Sequence, residues 1–299
     1  MLIINHRVAD INIWTESDVE IPHLLQPSFT KFQVENLQPG IYFRIRELDP
    51  RLLPLPPLDN ATQKRLLQTV GFPAKWSDRL ILRSPDVWKK VQACLDHPEM
   101  AHISLKWGRV IIRNFVRNEL DFFYPADRKK EFFAPFIISM AAFLPNFSAV
   151  MLHGAGIARN GVAAVFFAPS KGGKSSTIKL SDGMPVLNDD QIILRKQGGV
   201  VAAHGTPFGS ITDGPHQSAL GGIFLLEKSS QFALTPVPAS VALEFIWKEN
   251  AHLWFVMPKS LRIKAFDLIA GACRQARTFR MRFPKDFIDW SSIDRVLQG

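Results

Sequence analysis

Long apolar runs separated by short polar turns dominate the second half of the chain. Residues 161–168, with the sequence GVAAVFFA, form a continuous apolar stretch, which is typical of a strand buried on both faces. Residues 222–227, GIFLLE, predict a second buried strand. Shorter apolar segments at residues 149–152 and 191–194 predict two more strands. This pattern indicates an α/β fold with several strands in its interior.

Other periodicities predict the elements that surround these strands. Helical spacing is found in residues 240–249 and 260–277, and Ser260 is expected to cap the second of these helices at its N-terminus. Phe279, Met281 and Phe283 alternate with arginines, which predicts a half-buried last strand. Two further helices are predicted, a buried one over residues 126–147 and a short one over residues 286–298.

The first 125 residues predict a smaller mixed α/β region. Residues 40–48 alternate as a half-buried strand does, and residues 61–70 and 87–95 have helical spacing. A hairpin and another strand are predicted at residues 102–107, 109–115 and 119–124. We therefore expect two domains, residues 1–125 and residues 126–299. The sequence leaves two possible roles open for residues 1–125, substrate recognition and oligomer contact.

Composition narrows the class of protein. The 299 residues are 46% hydrophobic and 21% charged, an ordinary globular mixture. Only two cysteines occur, Cys94 and Cys273, which favours a reducing, cytoplasmic location.

The apolar start of the chain ends at Asn5, so no signal peptide is expected. The longest apolar run, residues 132–144, is too short to cross a membrane. The net charge of +9 fits an anionic partner such as ATP or an acidic peptide, and no motif favours nucleic acid.

A loop with two glycines and a Lys-Ser pair follows the stretch 161–168. Gly172 and Gly173 let the backbone curl around an anion, Lys174 brings an ammonium group to phosphates, and the Ser175 hydroxyl suits Mg²⁺. A helix predicted over residues 176–180 begins directly after the loop. Strand, loop and helix together predict a site for ATP and Mg²⁺; its binding residues are Ser170, Lys171, Gly172, Gly173, Lys174, Ser175 and Ser176. The alternative is a Gly-rich turn with a solvated lysine.

Two adjacent carboxylates and one histidine are the other candidate site residues. Asp189 and Asp190 stand at the edge of a predicted strand, where neighbouring carboxylates suit Mg²⁺ binding and proton abstraction. His153 ends the strand 149–152, and an Asn160-Gly161 turn would bring it back towards the loop. A histidine satisfied within the core is the alternative for His153.

In their order, these features resemble the kinase domain of HPr kinase/phosphorylase, whose nucleotide fold is similar to that of ATP-dependent phosphoenolpyruvate carboxykinase. The resemblance covers about residues 149–230. It implies a P-loop kinase in which His153 assists, Lys174 binds phosphate and Asp190 is the general base. Ser175 would bind Mg²⁺, with Asp189 near the metal. An oligomer is also implied.

Departures from that family bear on the substrate. Ala168 stands where the family has the first loop glycine, and the family's Glu-Ile-Arg-Gly type run is replaced by HGTPFG at residues 204–209. Residues 205–237 resemble a divergent branch of HPr-kinase-like proteins, some of which accompany the pathways of ribosomally made peptides. The resemblance therefore implies an ATP-dependent kinase that transfers a phosphoryl group to a hydroxyl of a peptide, a protein or a small molecule, and it favours a peptide. The competing hypothesis is a non-catalytic scaffold with a residual nucleotide loop.

Overall fold

The computed structural model describes residues 1–18, 27–35, 40–48, 90, 98–106, 109–125, 133–181, 183–211 and 217–298. These residues form a mixed α/β structure with two sheets. The chain divides into two compact units. One holds most of residues 1–143, and the other holds most of residues 144–299. The boundary predicted at residue 125 stays a prediction.

The described part of the first unit contains a six-stranded sheet in the order β1-β2-β3-β6-β5-β4. Its strands are β1 (Leu2–Val8), β2 (Ile11–Ser17), β3 (Ile41–Leu48), β4 (Ala101–Lys106), β5 (Arg109–Asn114) and β6 (Glu119–Pro125). Phe43 of β3 is fully buried, and its ring lies 4.8 Å from that of Phe136. Phe136 belongs to α2 (Phe133–Phe143), which packs against the sheet. The short helices are α1 (Pro27–Thr30) and a 3₁₀ turn at Pro98–Met100.

The described part of the second unit contains a larger sheet, of nine strands. The main order is β10-β8-β9-β13-β12-β11-β7, and β15 joins β13 while β14 joins β15. The strands are β7 (Ala149–His153), β8 (Ala155–Arg159), β9 (Val162–Phe167), β10 (Val186–Asn188), β11 (Gln191–Gln197), β12 (Val200–His204), β13 (Gln217–Lys228), β14 (Ala233–Pro236) and β15 (Arg277–Phe283). The pairs β9–β13 and β13–β15 are parallel.

The helices described in this unit are interspersed with its strands along the chain. They are α3 (Lys174–Lys179), α4 (Ala239–Glu249), α5 (Ala251–Trp254), α6 (Lys259–Gln275) and α7 (Trp290–Gln298), after a 3₁₀ turn at Leu144–Phe147. Among the helices described, none is long and apolar enough to cross a membrane.

Most of the strands predicted from the sequence are confirmed, with ends that shift by a few residues. The turn at Asn160 and Gly161 is also confirmed, with φ angles of 51° and 80°. The predicted strand at residues 222–227 lies within the longer β13. Both sheets together confirm the mixed α/β class.

Two predictions need correction, and others lie outside the described residues. The α-helix expected over residues 126–147 is described from Phe133 and ends at Phe143, where the chain tightens into the 3₁₀ turn that contains Pro145. The helix expected to start after Ser260 begins at Lys259. His204 is buried at the end of β12. The helices predicted over residues 61–70 and, apart from Lys90, residues 87–95 lie outside the described residues.

The core of the second unit predicts a measurable loss of stability. Phe166 is fully buried in β9, and its ring lies 5.3 Å from that of Phe224 and 6.4 Å from that of Trp290. Phe166→Ala should reduce the free energy of unfolding by about 3–5 kcal/mol, because the cavity cannot be refilled. The same change at Phe255, which is 63% exposed, should cost far less. Urea unfolding of both variants checks this, and equal losses would contradict it.

Candidate functional site

One pocket in the second unit gathers the residues that the sequence predicted. Its volume is about 250 Å³. The lining residues are His153, Ser170, Lys171, Gly172, Gly173, Lys174, Ser175, Ser176, Asp189 and Asp190. Every candidate site residue therefore lies at one place, although the predicted role of each stays a prediction.

The loop at the end of β9 turns sharply before α3 begins. The N–H of Gly172 donates to the carbonyl of Pro169 at 2.9 Å, which closes the turn. Gly173 adopts φ 116°, a conformation that strongly favours glycine. A Cβ at Gly173 would also lie 2.8 Å from the ring of Phe283, so both backbone and space select glycine here.

Ala168 fits this loop because the residue four positions further on is Gly172, which has no side chain. The side chain of Ala168 is completely buried. A Cβ on Gly172 would lie 2.7 Å from the Cβ of Ala168, closer than such atoms come. The methyl group that departs from the family pattern therefore occupies the space that Gly172 leaves.

The ammonium group of Lys174 lies across the base of the loop. Nζ donates to the carbonyl oxygen of Ala168 at 2.7 Å and to that of Pro169 at 3.4 Å. Burial lowers the pKa of Lys174, while the charges of Asp190 and Glu249 oppose that shift. The carboxylates thus favour the charged form of a buried lysine.

A tight turn between β10 and β11 presents the two aspartates. The buried side chain of Asn188 accepts the N–H groups of Asp190 and Gln191 through Oδ1, at 2.8 and 2.7 Å. Its Nδ2 donates to the carbonyl of Thr206 at 2.9 Å. This side chain holds the turn against the segment that follows β12.

Asp189 has neighbours of its own in that segment. Its Oδ1 accepts the N–H of Ser210 at 2.8 Å and that of Ile211 at 3.3 Å. Ser175 is exposed and lines the same pocket. Among the described residues, no group of three or more His, Cys, Asp or Glu side chains could hold a metal ion by itself.

The carboxylate of Asp190 contacts the imidazole of His153. The Nδ1 of His153 lies 3.2 Å from Oδ1 of Asp190, and the residue that follows, Gln191, pairs with His153 across β7 and β11. The hydrogen bond from the imidazole lowers the pKa of Asp190, with further help from Gln191 and the charge of Lys174, against the effect of burial. Asp190 is therefore held in its ionised form.

Sequence reasoning missed the corner between α4 and α5. The fully buried Asn250 accepts the backbone N–H of His153 at 2.6 Å and donates to the carbonyl of Ile246 at 2.8 Å. The ring of His252 lies 6.5 Å from that of His153. Asparagine is common at the ends of helices, so the sequence offered no reason to assign Asn250 a role at the site.

Comparison with known proteins identifies no family for this chain. No protein-family model matches this chain, and no curated protein matches it. Among solved structures, the HPr(Ser) kinase/phosphatase from Coxiella burnetii is similar at 10% identity and a TM-score of 0.26. The match covers 49% of this chain and 91% of that one. A likeness this weak assigns no family.

The contact with His153 predicts how Asp190 titrates. Because the folded pKa is lowered, the stability that ionised Asp190 contributes is present above the ordinary carboxyl pKa of about 3.9 and is lost as the pH falls through the lowered value. His153→Gln should move the Asp190 titration upwards, which carboxyl NMR measures.

Asp289 provides an internal control in the same experiment. Its hydrogen bonds from Ser291 and Ser292 lower its pKa to about 2, independently of His153. The Asp289 titration should therefore stay in place in the His153→Gln variant. An Asp190 titration that also stays in place would contradict the role given to the imidazole.

Proposed function

We propose that this chain is an ATP-dependent phosphotransferase that acts on a hydroxyl group. The observation that carries the proposal is that one pocket is lined both by the loop Ser170–Ser176 and by His153, Asp189 and Asp190. A phosphoryl transfer site needs both kinds of group around one space: groups that hold phosphate, and a carboxylate that receives the proton of the acceptor.

The size of the pocket suits a phosphate chain. Its volume of about 250 Å³ is below the ~300–1,000 Å³ typical of pockets that enclose a whole small molecule. In this proposal the phosphates enter the pocket and the nucleoside lies outside it. Ser170, Ser175 and Ser176 place three hydroxyl-bearing residues among the lining.

Lys174 is the proposed phosphate ligand. An ammonium group has three N–H donors, and two carbonyl oxygens of the loop accept from Nζ. One donor is then left for a phosphate oxygen. Its two carbonyl contacts fix the position of the charge before ATP binds, which reduces the entropy lost on binding.

The residues also fit Mg²⁺. This ion keeps several waters and takes one or two protein ligands besides phosphate oxygens, so Ser175 and Asp189 suffice. Oδ1 of Asp189 is engaged by two N–H groups, and the carboxylate has a second oxygen for the metal or its water. When bound, Mg²⁺ would neutralise charge on the phosphates.

Asp190 is the proposed acceptor of the hydroxyl proton. Its lowered pKa keeps it ionised at neutral pH, and His153 orients it. A carboxylate of this kind is a weak base. Phosphoryl transfer through a loose transition state makes little demand on base strength and depends mainly on position and charge.

Removal of the Lys174 ammonium group should weaken ATP binding. Lys174→Ala should raise the Kd for ATP·Mg²⁺ about 10- to 100-fold, since a hydrogen bond to a charged group contributes about 1.5–3 kcal/mol. Isothermal titration calorimetry on the full chain measures this.

Lys179→Ala is the matched control. Lys179 lies in the last turn of the same helix and is exposed, away from the pocket lining. Its Kd should remain that of the wild type. Equal binding by the Lys174 and Lys179 variants would contradict the phosphate site. No binding by the wild type would favour the scaffold hypothesis instead.

Asp190→Asn should separate binding from turnover. We expect an ATP Kd within about twofold of the wild type and a release of phosphate from labelled ATP that falls about 10²- to 10⁴-fold, as for the loss of a general base. Water serves here as the acceptor. Asp267→Asn, at an exposed position of α6, should keep the full rate. Retained turnover in Asp190→Asn would remove Asp190 as the base.

A further inference from the structure

The side chain of Gln191 contacts both members of the His153–Asp190 pair. It is buried, with 7% of its surface exposed, at the first position of β11. Nε2 lies 3.4 Å from Oδ2 of Asp190 and 3.5 Å from Nδ1 of His153. The two oxygens of Asp190 therefore have different partners, the imidazole at Oδ1 and the amide at Oδ2.

The backbone of Gln191 is fixed on both sides. Its N–H donates to Oδ1 of Asn188 at 2.7 Å, and its carbonyl accepts the hydroxyl of Thr206 at 2.7 Å. Thr206 is itself fully buried. The amide thus extends from a backbone that has little freedom to move.

One atom of this amide is poorly accommodated. Oε1 of Gln191 is buried and, among the residues that the structure describes, has no hydrogen-bond partner. A buried acceptor without a donor destabilises a fold, and an apolar side chain of the same length would avoid that cost. The position is therefore not optimised for stability, whereas its Nε2 is directed at the Asp190 carboxylate.

We propose that Gln191 is a positioning residue, which fixes the Asp190 carboxylate and the His153 ring relative to one another. The proposal rests on the proposed function and adds a residue to that site. With a donor on each oxygen, the carboxylate cannot rotate freely about its bond to Cβ. Nδ1 is the ring nitrogen that faces the carboxylate, so the carboxylate favours the neutral tautomer that carries its proton on Nδ1 over the one that carries it on Nε2.

The first test replaces the amide with an apolar group of similar length. In Gln191→Met, the urea midpoint should stay the same or rise, and the ATP Kd and KM should stay within about twofold. The kcat for phosphate release should fall about 10-fold or more, because a misplaced catalytic group loses rate without losing binding. Gln191→Glu should reduce kcat at least as much, since it sets a second carboxylate against Asp190.

Gln197→Met is the control, because Gln197 is exposed at the other end of the same strand. It should leave all four quantities unchanged. An unchanged kcat in Gln191→Met would overturn the proposal. A fall in the urea midpoint together with weaker ATP binding would also overturn it, because that result describes a purely structural residue.

A second readout needs no nucleotide. The ¹⁵N chemical shifts of the His153 ring, measured in alkaline solution, report which nitrogen carries the proton. The wild type should show mainly the Nδ1–H form, and Gln191→Met should show more of the Nε2–H form. Identical shifts in both proteins would overturn the proposal. A wild type that binds no ATP but shows this difference would refute the kinase assignment and leave the positioning role intact.

Discussion

The buried amide of Asn188 makes three hydrogen bonds, on which the position of both carboxylates depends. Its oxygen receives the N–H groups of Asp190 and Gln191, and its nitrogen donates to the carbonyl of Thr206. Without that side chain, three backbone groups in a buried turn would need other partners, at about 1–3 kcal/mol for each one left unsatisfied. The turn between β10 and β11 thus depends on one residue that is not itself part of the pocket lining.

The pocket brings together charged side chains of opposite sign. A lysine and two aspartates lie around a small volume, with His153 beside one carboxylate. The lysine charge lowers the pKa of Asp190, and the charge of Asp190 acts to raise that of Lys174 against burial. Each group therefore favours the ionised form of the other. This mutual effect keeps the site charged although it is partly withdrawn from water.

The elements that carry the chemistry could be predicted from the sequence because their signals are local. An apolar run followed by Gly172, Gly173 and Lys174 shows strand, loop and helix within twenty residues. The turn at Asn160 and Gly161 is equally local, since both residues take positive φ angles. The gathering of all ten site residues in one pocket followed from these short patterns.

The supporting contacts could not be predicted in the same way. Asn250 lies 97 residues from the His153 N–H that it accepts, and no periodicity connects two such positions. In the sequence, Gln191 is only the polar first residue of a buried strand, and its contacts with His153 and Asp190 are visible only in the structure.

Ala168 and Gly172 occupy one shared space, which alters how such loops should be recognised. The methyl group of Ala168 fills the space that a side chain on Gly172 would need, because a Cβ on Gly172 would lie 2.7 Å from the Cβ of Ala168. Patterns that score each loop position separately count this alanine as a defect. A pattern that scores the two positions jointly would accept alanine followed by glycine as equivalent to glycine followed by a larger residue. Diverged sequences with displaced glycines could then be found by the volume that they conserve.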